Sequence, residues 1–402
     1  MVQLMIRGLG GDFRYCPQLT TGIHMENPDV RVFHVNARVS ASMEDVGRVK
    51  IGKLFRLCSH CLEAIWCRIR YGANVLYYVP APAKASAILR DWIVMVLCRP
   101  FFPKLILHWH SSGLGSFVGN ALESGSTWQK AIGRLTQFLL GRADLSIVLT
   151  EYSRKDADIF MPRKLVVIPN GIPDPCPDFE SSILPQRQQR RQTLLHLRQK
   201  SEAGSPKPET ENYRVLFLAH CTREKGLFDA IDAIALLNSK LKNQNLKPQA
   251  SLTVAGQFMS ESERCEFETR IAHPDLQLAK PWTQSAVRYA GFVSGEEKDY
   301  LLKTSDCLCF PSYYPNEVFP VTILEAMSYG LEIVLTSWKG IELCLPAGYP
   351  SIVPPKDPKS LAAALFGLAL EESCRAWELR NHFLKNYQAA AFVEKMKACL
   401  SI

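Results

Sequence analysis

No stretch of this 402-residue chain stays apolar for long. The longest such run, Trp92 to Cys98, has 7 residues, far short of the roughly 20 that a helix needs to cross a bilayer. No N-terminal segment reads as a signal peptide, so the chain is expected to be cytoplasmic and soluble, or at most peripheral on the inner face of a membrane. A second cysteine pair is missing as well. Cys58 and Cys61 form C-x-x-C within a helical pattern, but nothing at zinc-finger spacing accompanies them. Most of the 13 cysteines sit singly in apolar runs, as Cys98, Cys307 and Cys344 do, which suits reduced, buried thiols better than disulfides. A G-x-G-x-x-G fingerprint followed by an acidic residue is absent, which argues against a dinucleotide oxidoreductase. No recognised nucleic-acid motif accompanies the mild charge: 47 Lys+Arg against 39 Asp+Glu leave +8.

What is present is apolar material, 47% of residues, enough for a folded protein. The length suggests two domains at roughly 100–200 residues each. Short β-rich runs alternate with helical patterns. Val30–Val35, Val75–Val79, Leu105–His110, Leu145–Leu149 and Val166–Ile168 read as strands, and Lys50–Tyr71, Ala83–Cys98, Gln129–Leu140 and Glu151–Phe160 as helices. After the turn signal Pro169-Asn170-Gly171 the pattern fails as far as Asn212. A helix is predicted there over Ser182–Lys200, with Arg187, Arg190 and Arg191 on a solvated face. Strands resume at Val215–Ala219, Ser251–Ala255, Tyr289–Phe292, Asp306–Phe310 and Ile333–Thr336, and helices Pro358–Leu370 and Arg375–Leu400 close the chain. Repeated strand–helix units imply parallel sheets covered on both faces.

Ligands in such sheets bind at the carboxyl ends of strands, and anions favour helix N-termini. Three loops of this kind carry polar residues. After Ala219, the run HCTREKG places Arg223 and Lys225 ahead of a helix; helix-start amides and Lys225 would cradle a diphosphate, unless the lysine is merely solvated. After Phe310, Glu317 sits in a loop and Glu325 on a helix within TILEAM. A carboxylate among apolar neighbours needs donors, such as vicinal ribose hydroxyls. In the first half, HWHSSGLG ends a strand at His110, which would orient a substrate or share a proton, or serve as a structural histidine. Asp156 and Asp158 spell D-x-D but fall in a helical pattern and read as surface carboxylates.

Together these loops resemble family-four glycosyltransferases, the retaining nucleotide-sugar enzymes with the GT-B fold. The resemblance rests on VLFLAHCTREKG, on Ala290-Gly291-Phe292-Val293 and on SDCLCFPSYYPNEVFPVTILEAMSYG, where Glu317 and Glu325 match the family's E-x7-E spacing. LILHWHSSGLG, ADLSIVLTEYSRKDAD and VVIPNGI extend it into the first half. The implied fold is α/β and GT-B-like, two doubly wound Rossmann-like domains facing a cleft. Residues 1–172 would be an acceptor-side domain, shortened at its start, and 173–212 a linker or insertion. Residues 213–384 would be the donor domain, and 385–402 a helix crossing back to the first.

By resemblance, Glu325 would hold the ribose and Glu317 would touch the donor sugar. Lys225 would bind the diphosphate, His110 would face the sugar, and Thr150 falls where the family has a small hydroxyl residue. Gly10 and Gly11, with Gly8, would form the N-terminal glycine loop. The family's arginine five residues before the lysine is His220 here, with Arg223 a candidate substitute. The residue after the first glutamate, usually glycine so that donor and backbone can approach, is Val318, followed by Phe319.

The implied activity is transfer of a sugar from a nucleoside diphosphate sugar to an acceptor hydroxyl, in cell-envelope polysaccharide or glycolipid assembly. It would use no metal and no other cofactor. The expected partners are the donor, a sugar or lipid-linked acceptor and an anionic membrane surface, with no nucleic acid. The alternative, motivated by His220, Val318 and the short N-terminus, is a GT-B-like sugar-nucleotide-binding or scaffold protein with weak or no transfer. The charge excess lies entirely in the first half: residues 1–172 hold 21 Lys+Arg and 12 Asp+Glu, a difference of +9. Much of it, Arg48, Lys50, Lys53, Arg56, Arg68 and Arg70, surrounds a helix with Phe55 and Trp66. That helix is either core-packed with a solvated basic rim or a peripheral membrane contact that delivers the acceptor.

Overall fold

Short buried runs such as Val75–Tyr78 and Cys307–Phe310 offer apolar side chains to both faces, so they are stable only as parallel strands with helices above and below. The computed structural model describes residues 2–6, 31–35, 51–199, 212–244, 249–273, 276 and 285–400. These form two compact units.

The first unit holds the described residues up to Asn170, Pro315–Phe319 and those from Ala389 onward. Its strands β1 (Val2–Ile6), β2 (Arg31–Val35), β3 (Val75–Tyr78), β4 (Lys104–Trp109), β5 (Leu145–Val148) and β6 (Leu165–Val167) make one parallel sheet in the order β2-β1-β3-β4-β5-β6. Helices α1 (Ile51–Tyr71), α2 (Ala85–Cys98), α3 (Leu114–Ser124), α4 (Thr127–Leu140) and the short α5 (Arg154–Asp158) are its crossovers. Leu57, Cys61, Met95, Leu107, Val118 and Leu140 share one core. Inside it, Asp91 accepts from Tyr78 Oη at 2.6 Å and Ala81 N at 2.8 Å, and Arg90 lies at 2.8 Å. Helix α3 was not foreseen: the glycine-rich segment after His110 is short, and Gly113 (φ 100°) turns the chain directly into it.

The second unit holds Gly171–Tyr314 and Pro320–Gln388 among its described residues. Helix α6 (Leu184–Gln199) precedes β7 (Tyr213–Leu218), α7 (Leu227–Asn243), β8 (Ala250–Ala255), α8 (Glu261–Ile271), β9 (Val287–Gly291), α9 (Glu296–Thr304), β10 (Cys307–Phe310), α10 (Val321–Ser328), β11 (Glu332–Thr336), β12 (Ile352–Val353), α11 (Pro358–Leu370) and α12 (Ala376–Asn386). The parallel order is β12-β11-β10-β7-β8-β9. The chain winds outward from β7 to β9, returns, and winds outward the other way from β10, so the switch of direction falls between β7 and β10.

Two expectations fail here. Arg187, Arg190 and Arg191 are not a solvated face. Arg187 donates to Leu302 O, Ser305 O and Tyr329 O at 2.7–2.8 Å; Arg190 pairs with Asp306 at 3.0 Å; and Arg191 is buried against Glu332 at 2.9 Å and Leu368 O at 2.7 Å. The guanidinium forks satisfy helix-end and strand-end groups that α6 would otherwise bury unpaired. The closing helix is also broken. α12 stops at Asn386, and α13 (Ala389–Leu400) starts afresh. Tyr387 O accepts from Ile172 N at 2.9 Å, and Gln388 bridges Ile172, so the backbone there serves a β-bridge. In the first unit α13 buries Met396 and Leu400 against Val75, Ile106 and Ile147.

All 12 described cysteines are free, Cys58 half-buried and Cys61 buried. Among the described residues no helix is long and apolar enough to cross a membrane.

Candidate functional site

At the switch point of the second unit, the loops after β7 and β10 meet. Thr222 caps a single turn, Arg223–Lys225, by accepting from Lys225 N at 3.3 Å. Gly226 (φ 78°) then turns the chain into α7. A Cβ on Gly226 would lie 2.2 Å from Pro311 O, so only glycine lets the loops close. Tyr313 N donates to Glu224 O at 2.8 Å. Lys225 Nζ lies 4.9 Å from the Tyr314 ring centroid and 5.8 Å from that of Phe310, in cation–π range. A lysine held beside a helix start at a topological switch point is suited to an anion.

Arg223 is held elsewhere. Its amide donates to Glu263 Oε1 at 2.8 Å, its guanidinium bonds Glu266 Oε2 at 2.5 Å on α8, and the Phe228 ring lies 4.6 Å away. His220 is exposed, its carbonyl accepting from Thr222 N at 2.8 Å.

Glu325 lies on α10, buried among Ile323, Leu324, Ala326 and Met327. Lys298 Nζ of α9 meets its Oε1 at 2.6 Å. A buried carboxylate without such a donor would favour its neutral form; Lys298 supplies the compensating charge and fixes the side chain. Nothing in the sequence pointed to Lys298, which sits in the charged run EEKDYLLK.

In the first unit, the carboxyl end of β4 presents His110. Its Nε2 lies 3.3 Å from His108 Nδ1, which also bonds the Tyr77 hydroxyl. Burial pushes the His110 pKa down to about 4 and His108 well below the usual histidine range, with the neighbouring His110 adding to the second shift. Both rings are neutral at neutral pH, so His110 offers a hydrogen bond and not a cation.

Asp156 departs from the sequence reading. It is buried and accepts from Gly113 N at 2.9 Å, Ser116 N at 2.7 Å and Ser116 Oγ at 2.9 Å, tying down the loop after His110 and the start of α3, while Asp158 is exposed. A Cβ on Gly115 would lie 1.9 Å from Asp156 O, so α3 and α5 meet backbone to backbone.

Thr150 is buried and caps the turn Glu151–Ser153, with Oγ1 2.9 Å from Ser153 Oγ. Ser112 Oγ donates to Pro315 O at 3.2 Å and Glu317 O at 3.4 Å. Glu317, Val318 and Phe319 are buried. Val318 is not among the four described non-glycine residues with positive φ, so the valine fits its backbone without strain. Gly8, Gly10, Gly11, Arg48 and Lys50 lie outside the described residues. Among the described residues no group of three or more His, Cys, Asp or Glu is placed to hold a metal ion.

Residues 198–390 match the family described as Glycosyl transferases group 1. A curated relative, the amylovoran biosynthesis glycosyltransferase AmsK of Erwinia amylovora, is 28% identical over 165 residues. That match spans 40% of this chain and 37% of the relative's own length. Among solved structures, sucrose-phosphate synthase from Thermosynechococcus elongatus superposes with a TM-score of 0.66 at 16% identity, covering 100% of this chain and 98% of that one. Anabaena HepE in complex with UDP-glucose gives 0.60 at 17% identity, covering 100% and 99%. At such identities the likeness shows the fold, which is that of two-domain GT-B glycosyltransferases.

Proposed function

We propose, from a second unit that belongs with the group 1 glycosyl transferases, that the chain transfers a sugar from a nucleoside diphosphate sugar to an acceptor hydroxyl with retention. The bond from the anomeric carbon to the diphosphate oxygen breaks, and a bond to the acceptor oxygen forms on the same face. The acceptor proton passes to the departing diphosphate.

Lys225 and the first amides of α7 neutralise the charge growing on that leaving group, a role protein cations fill without a metal ion. Glu325, oriented by Lys298, accepts from the ribose hydroxyls. Neutral His110, held by His108 and Tyr77, hydrogen-bonds the donor sugar, and Glu317 contacts it near the reacting carbon. A sugar or lipid-linked acceptor in cell-envelope assembly agrees with the relative named for amylovoran biosynthesis. The observation that carries the reading is Lys225 at the switch point, where the β7 and β10 loops are bonded together.

The test is a thermal-shift panel of nucleotide sugars, since binding to the folded state raises Tm by mass action, followed by transfer assays. A selective hit whose shift disappears in Glu325→Ala is expected. Undiminished binding and turnover in that variant would overturn the assignment. A second reading, donor binding with weak or no transfer, is favoured by Arg223, whose guanidinium is committed to Glu266. Sugar transfer or donor hydrolysis by the purified chain would exclude it.

A further inference from the structure

Three neighbouring helices of the first unit have an apolar face where solvent should find a polar one. α1 packs Leu57, Cys61 and Ala64 into the core, yet Phe55, Leu62, Trp66 and Ile69 form a second stripe along it, each more than half exposed. Helical periodicity aligns those four positions. α4 repeats the pattern: Thr136, Leu139 and Leu140 point inward, while Trp128 is 75% exposed, Phe138 77%, and Leu135 lies between them on the same stripe. α2 packs against both and, with the turn that follows it, adds exposed Leu89, Val96 and Phe101.

Side-chain hydrogen bonds join the three. Arg68 Nε donates to Phe101 O at 2.9 Å, Arg99 Nη2 to Gly141 O at 2.8 Å, and Trp92 Nε1 to Thr136 Oγ1 at 3.0 Å. The apolar stripes therefore lie on helices packed side by side. Soluble proteins seldom leave such a patch open without a partner.

Charge selects the partner. α1, α2, the Arg99–Phe101 turn and α4 together carry 8 Lys and Arg against 2 acidic residues, and one of those, Asp91, is buried. We propose that this face docks on an anionic lipid bilayer. Its rings and aliphatic chains enter the headgroup layer, and Arg56, Arg70, Lys130 and Arg134 meet lipid phosphates. A second copy of the chain fits less well, because it would bring the same positive face against this one. The inference rests on the proposed transferase only for its use: a docked enzyme meets a lipid-linked acceptor in the plane of the membrane.

The test is co-sedimentation of the whole chain with phosphatidylcholine vesicles containing phosphatidylglycerol, against vesicles of phosphatidylcholine alone. Binding is expected to the anionic vesicles, weakening with salt. It should fall about tenfold or more in Trp128→Ser/Phe138→Ser, with the thermal midpoint close to that of the parent. Equal binding to both vesicles, binding to neither, or a concentration-dependent dimer dissociated by the double substitution would overturn it. Donor thermal shifts measured on the same preparations separate the two claims. A donor shift without vesicle binding sinks only the docking surface, and vesicle binding without any donor shift sinks only the transferase.

Discussion

The two units share one architecture, a parallel six-stranded sheet wound in both directions, and differ in what their helices show to solvent. In the second unit α8 is laced with ion pairs: Arg264 with Glu268 at 3.1 Å, Arg270 with Asp232 at 2.8 Å and with Glu266 at 3.1 Å. In the first, α1 and α4 expose Phe55, Trp66, Trp128 and Phe138 on helices where basic residues outnumber acidic ones. The inner stripes of both units obey the same rule, because each must cover a sheet. The outer faces are free of that demand, so on the proposals above they record what each unit meets: water over the second unit and lipid over the first.

Interior charge sets the largest expected effect. Arg191→Ala would leave Glu332, whose carboxyl burial already pushes above the usual range, without its guanidinium. Breaking a buried pair of this kind costs about 3–5 kcal/mol. Denaturant unfolding should show it, and a loss under about 1 kcal/mol would mean that the pair is solvated.

Next is Lys225→Ala, expected to lower turnover about 100- to 1000-fold, the range seen when one charge-stabilising donor is removed, while vesicle binding stays as in the parent. A matching loss of vesicle binding would erase the division of labour between the units. Gly226→Ala meets Pro311 O and a positive φ, and should destabilise the second unit by about 1–3 kcal/mol, read as a lower Tm.

Acid should weaken the first unit. The unfolded His110 takes up a proton below about 6.5, but the folded one stays neutral until about 4, so stability falls as pH drops through that window. His110→Gln should flatten the Tm slope there, and an unchanged slope would remove His110 as its cause. The smallest expected effect is none at all: on the proposed mechanism Lys225 and the α7 amides carry the leaving-group charge, so a metal chelator should leave transfer unchanged. A chelator-dependent loss restored by a divalent ion would overturn that.

Part of the candidate site's local structure was legible in advance because its signals are local. The strand ahead of Ala219, the loop lysine and the glycine before a helix lie where the sequence places them, and Glu325 inside TILEAM reads as a carboxylate in need of donors. What escaped depends on partners remote in sequence. Lys298 sits in an ordinary charged run, and only the packing of α9 beside α10 brings it to Glu325. Asp156 reads as a surface carboxylate because it falls in a helical pattern, until the amides of Gly113 and Ser116 arrive from 43 and 40 residues away. The arginines of α6 look solvated until the strand and helix ends they bond are in place.

By itself the sequence determined the alternation of strands and helices, and thus parallel sheets, since periodicity and turn residues act within a few positions. It also fixed the positive excess of the first half. The tertiary structure decided which charges are paired and which apolar stripes are covered. A helix with two apolar faces cannot say from its own residues which one meets the sheet. Packing of α1, α2 and α4 on one core settles that, and leaves Phe55, Trp66, Trp128 and Phe138 outside.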